Sequence, residues 1–167
     1  MKLVHSILLM VALVLTGCAS TQTESKFRSY SGPEVTALVL YKERRMMYLM
    51  HGSEVLKRYR FELGFEPTGH KQHEGDGRTP EGVYRIDRRN PNSRFHLSLG
   101  ISYPNTQDRS AAAVLGLPPG GDIFIHGTPS ALVRMVDWTA GCIAVTNDEM
   151  EEIYAMVQDG TIIAIYP

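Results

Sequence analysis

The sequence predicts a mainly β domain with one short helix. Short apolar runs punctuated by turn residues recur from Val35 to Tyr166, the pattern of buried strands. A single segment near the C-terminal end breaks this habit with helical spacing and a helix-start signature.

Val35–Tyr41 is β-branched and apolar enough for a buried strand, and Arg45–Met50 is its expected hairpin partner across Lys42-Glu43-Arg44. His51-Gly52-Ser53 reads as the next turn, leading into Glu54–Leu63, where apolar and polar residues partly alternate. Val83–Asp87 is a further alternating strand, and Ile123–Ile125 and Thr161–Tyr166 are short, strongly apolar ones. Thr146-Asn-Asp-Glu149 has the spacing of a capping box; Met150, Ile153, Tyr154 and Val157 then recur at helical spacing before Gly160. The chain shows no internal repeat and no second linker, which makes residues 34–167 one domain.

Lys and Arg number 17 against 18 Asp and Glu, a formal net charge of −1. That balance is no electrostatic footprint for nucleic acid, which is excluded as a partner. Upstream of the domain, Lys2 precedes an apolar stretch, Ile7–Leu15, too short to span a bilayer and fitting a signal-peptide core over residues 1–17. Leu15-Thr16-Gly17-Cys18 resembles the lipobox of bacterial lipoproteins. The resemblance implies cleavage before Cys18, its acylation, and a membrane anchor. Residues 18–33 then form a polar tether. Ala19 and Ser20 fit the pattern for outer-membrane sorting, so the expected location is periplasmic, lipid-anchored to the outer membrane.

With Cys18 occupied, Cys142 is the one free thiol of two cysteines. A lone thiol in an oxidising compartment is a liability unless it has chemical work. A thiolate is the better nucleophile, and a neighbouring base generates it near neutral pH. Of six histidines, His126 is the best placed by sequence, ending the apolar run Asp122–Ile125 and followed by Gly127. By itself it could equally be a packed core or turn histidine.

The segments carrying these residues resemble a known family. His126-Gly127, Thr139, Gly141 and Cys142, preceded by Gly75-Asp-Gly-Arg-Thr-Pro-Glu-Gly82 and Gly120–His126, are similar to the motifs of the L,D-transpeptidases with a YkuD-type domain. That resemblance implies a β-sandwich-like fold, with Cys142 as nucleophile and His126 as general base and acid. It further implies Gly141 and Ala140 at the oxyanion position, and Gly127, Thr139, Tyr103 and Trp138 beside the substrate. The implied substrates are peptidoglycan stem peptides, with a wall-linked lipoprotein as a further candidate partner. Neither cofactor nor metal is called for. The chain departs from the family at Ala140, where a histidine is usual, and at Ala144, where an arginine is common. Similar Gly-Cys-Ile-Ala runs occur in the subgroup that detaches lipoprotein from peptidoglycan, so hydrolysis stands beside transfer. A non-catalytic wall-binding lipoprotein is the alternative of a different class; it would need neither Cys142 nor His126.

Other features have plain readings. His70-x-x-His73 has zinc-compatible spacing but no further ligands nearby, and reads as a loop. Asp76 and Arg78 read as turn-forming, with Gly75 and Gly77 at positive φ. Arg88, Arg89 and Arg94 cluster around Asn90-Pro91-Asn92, either solvated or meeting a carboxylated ligand. Trp138 either walls the cleft or packs, and Asp108 and Arg109 fall in an expected loop.

Overall fold

A computed structural model describes residues 25–167; the expected signal peptide and Cys18 lie outside the described residues. Eight strands form one sheet in the order β3-β2-β1-β8-β4-β5-β6-β7. They are β1 Ala37–Tyr41, β2 Met46–His51, β3 Glu54–Arg60, β4 Gly82–Asn90, β5 Ser98–Ile101, β6 Phe124–His126, β7 Ile143–Ala144 and β8 Ile162–Tyr166. The pairs β1–β8 and β6–β7 are parallel and the rest antiparallel. The mainly β prediction and the 41–46 hairpin are thus met, as is the helix after Cys142.

The sheet curls until its two edges meet. Just past β3, at one edge, Glu62 bridges to Ala144 of β7, at the other, and Gly64 bridges to Thr139. Inside the curl, alternate residues point to one core: Leu38 and Leu40, Met47 and Leu49, Tyr84 and Ile86, and Ile163 and Ile165 are all buried. β5, between β4 and β6, has all four residues buried.

Helix α1, Thr106–Val114, replaces the loop expected around Asp108 and Arg109. Its start is a capping box built from Asn105 and Asp108. Only Asp108 and Ala112 of this helix are buried, so it carries no apolar stripe for a sequence to display. Asp108 accepts from Tyr84 Oη at 3.1 Å and lies 3.3 Å from His70 Nε2. The His70 ring thereby ties the turn to α1; its Nδ1 accepts from the Glu81 N–H. Helix α2, Asn147–Met156, is capped by Thr146 and Glu149 as predicted and buries Met150, Ile153 and Met156.

The 18–33 tether expectation is corrected where the structure describes it. Residues 25–33 lie along the domain: Lys26 donates to the carbonyls of Pro91 and His96, and Arg28 meets Glu151 and Glu152. Phe27 packs against Tyr154. No helix among the described residues is long and apolar enough to cross a membrane.

Candidate active site

The parallel β6–β7 pair brings the two motif residues together. Its register sets Ile125 beside Ile143 and His126 beside Ala144. Both isoleucines are fully buried, so by alternation Phe124, His126 and Cys142 turn to the opposite face. There the three line one cleft of about 340 Å³, with Ser98, Phe95, Arg94 and Asp122.

His126 is 2 % exposed and tightly held. Phe95 stacks on its ring at 4.5 Å and Trp138 closes the side at 5.5 Å. Its Nδ1 is 2.7 Å from Gly127 O. A carbonyl can only accept, so Nδ1 carries the proton and Nε2 is left as the basic nitrogen. Burial lowers the His126 pKa below its ordinary 6.5, opposed in part by this hydrogen bond. Burial likewise pushes the Cys142 thiol above 9.0, and Sγ lies 3.5 Å from Asp122 O. The resting pair is therefore neutral imidazole and neutral thiol, suited to general-base activation as substrate arrives.

This has a direct pH signature. Alkylation of Cys142 by iodoacetamide should climb with pH through and beyond 9.0. Turnover should fall on the acid side only below 6.5, where His126 gains its proton. An alkylation rate already at its plateau near about pH 6 would instead reveal a resting thiolate–imidazolium pair.

The loop bearing Cys142 is braced from beneath. Thr139 Oγ1 donates to Cys142 O at 2.8 Å and accepts from the Gly141 N–H at 3.1 Å. Thr79 Oγ1 donates to Gly141 O at 2.8 Å. Gly141 has φ +126°, and a Cβ there would press to 2.6 Å on Arg78 O. The Gly75–Gly82 turn is thus the floor of the site. Asp76 organises that floor, accepting from Lys71 Nζ and the N–H groups of Gln72, His73 and Arg78.

Several sequence-predicted roles change. The Gly141 N–H is spent on Thr139, while the Cys142 N–H carries no hydrogen bond among the described residues. The Ala140 N–H is likewise free and its residue exposed. Thr139 is buried, fastens the loop and does not line the cleft. Gly127 is not open to a ligand either: a side chain there would run into Asn147 Oδ1 and Phe95 O. Trp138 packs behind His126 and lines a different cavity, with Thr128 and Ala144. Tyr103 belongs to the core, 4 % exposed, with its hydroxyl donated to Pro119 O at 2.9 Å. Sequence reading missed Ser98, Phe95 and Asp122. Only the nearby Asn90–Arg94 cluster offered a signal.

A cysteine beside a buried histidine of fixed tautomer, on a curled β-sheet with a free backbone donor, has the layout of a cysteine acyl-transfer site. The sequence profile of the L,D-transpeptidase catalytic domain (YkuD) matches residues 34–165, and the chain belongs to that family. It is 26 % identical to YafK of Escherichia coli (strain K12), whose own L,D-transpeptidase assignment is provisional, over 98 % of this chain and 71 % of that protein. Among solved structures it resembles the helical cell shape determining protein Pgp2 of Campylobacter jejuni (K307A mutant), with TM-score 0.63 and 28 % identity. That likeness covers 81 % of this chain and 48 % of Pgp2, so the chain spans about half the length of that relative. An L,D-transpeptidase of Mycobacterium smegmatis shares the fold, with TM-score 0.54 and 14 % identity, over 80 % of this chain and 59 % of that one.

Proposed function

We propose that the protein is a cysteine L,D-transpeptidase acting on the tetrapeptide stems of peptidoglycan. The observation that carries this reading is the parallel β6–β7 register, which turns His126 and Cys142 into one cleft. His126 Nε2 takes the Sγ proton, and the sulfur attacks the carbonyl of the third stem residue. The oxyanion is met by the Cys142 N–H, a kind of donor worth about 3 kcal/mol. The C–N bond then breaks, D-alanine leaves with the proton from His126, and a thioester remains on Cys142. An amine from a second stem resolves it in transfer, and water resolves it in hydrolysis. The wall-linked lipoprotein is a candidate in either direction.

The same reading puts the enzyme in the periplasm, held at the outer membrane through an acylated Cys18. Pgp2 is described as determining helical cell shape; a part in wall shape is the corresponding proposal here.

The test is mass spectrometry of the full chain with purified tetrapeptide muropeptides. We expect D-alanine release and a stem adduct on Cys142. Crosslinked or amine-exchanged products denote transfer, and tripeptide alone denotes hydrolysis. Intact stems with no adduct would overturn the proposal.

A further inference from the structure

We propose that Arg94 and Ser98 form an anion subsite that takes the terminal carboxylate of the acyl-donor stem, the group that departs with the leaving residue. This rests on the acyl-transfer reading above and adds the chemistry by which that cleft selects its substrate.

Of the three arginines clustered at residues 88–94, two are committed elsewhere and one lines the cleft. Arg88 pairs with Asp122 at 3.1 Å and lies over the Phe124 ring. Arg89 stacks on Tyr154 and donates to the carbonyls of Val157 and Tyr154. Arg94 lines the cleft with its guanidinium 5.8 Å from the Phe95 ring centroid, the same ring that stacks on His126. Among the described residues it has neither ion pair nor hydrogen bond. Nor does Ala140–Thr146 supply any cation to the nucleophile's side.

Ser98 points the same way independently. It is 3 % exposed, directly opposite His126 in the β5–β6 register, and lines the cleft. Its hydroxyl makes no hydrogen bond among the described residues. The hydroxyl oxygen is not sealed from solvent; it opens into the cleft, where a ligand oxygen can accept its proton. The one carboxylate lining the cleft, on Asp122, is already paired with Arg88. A free guanidinium and a donor-capable hydroxyl beside the reacting sulfur suit a planar carboxylate.

The experiment has two arms, neither of which needs turnover. In the full chain carrying Cys142→Ala, calorimetry compares a tetrapeptide ending in a free acid with the same peptide ending in a carboxamide. We expect the acid to bind about 10-fold more tightly, and Arg94→Ala to erase that preference. In the chain with Cys142 intact, the rate ratio of iodoacetate to iodoacetamide should fall about 10-fold on Arg94→Ala, fall less on Ser98→Ala, and largely survive Arg94→Lys. Equal binding of acid and amide, or a ratio unmoved by Arg94→Ala, would overturn the subsite. Either result leaves the acyl-transfer reading to its own adduct test, so the two fail separately.

Discussion

Cys142→Ala should abolish D-alanine release from tetrapeptide stems, at least about 10⁴-fold, because it removes the sulfur on which the acyl intermediate forms. His126→Gln should cost about 10²–10⁴-fold near neutral pH. The two losses differ in a way that identifies the base. Without His126 the thiol must ionise unaided, so the His126→Gln deficit should shrink as pH rises past 9.0, whereas the Cys142→Ala deficit should not. The double variant should be no worse than Cys142→Ala, since the two residues act as one unit. Steady-state rates taken from well below 6.5 to well above 9.0 check all of this. A His126→Gln enzyme of near wild-type rate at neutral pH would remove His126 from the mechanism.

The second large effect is on stability and falls on Asp76. Its carboxylate is opposed by burial, yet Lys71 and the amides of Gln72, Arg78 and His73 outweigh that and hold it at about 2. Asp76→Ala would strand the Lys71 ammonium, which is 3 % exposed, and should cost about 3–5 kcal/mol. Urea unfolding at neutral pH measures it; a loss under about 1 kcal/mol would contradict the assignment. The sign with pH follows from linkage. A depressed carboxylate contributes its full stability above 3.8, and that contribution drains away as pH falls toward about 2. Wild type and Asp76→Ala should therefore converge in stability in that acid window. Arg78, whose amide Asp76 holds, also supports Gly141, so the variant should lose activity as well.

Much of the fold was legible because strands such as Val35–Tyr41 and Thr161–Tyr166 advertise themselves by apolar runs, and α2 by its capping box. β5 was not: four residues including a glycine show no period, yet Ser98–Ile101 is buried on both faces and brings Ser98 into the site. In the site, Cys142 and His126 were legible through motif and spacing. Ser98, Phe95 and Asp122 were not, because strand order, not chain proximity, brings them to the sulfur. Thr139, Gly127 and Trp138 were misassigned for the converse reason. They neighbour the motif in sequence, but Thr139 ties the loop, Trp138 packs against His126, and the backbone at Gly127 is closed in by Asn147 and Phe95.

The docked segment at residues 25–33 has a mechanical consequence. Its outermost fastening is Lys26, clamped across the carbonyls of Pro91 and His96, the two flanks of the short loop that holds Arg94 and Phe95. A pull along the chain from the N-terminal side meets this clamp before it reaches the ion pairs of Arg28 with α2 or any strand of the sheet. Load is thus delivered first to the wall of the cleft and only afterwards to the core.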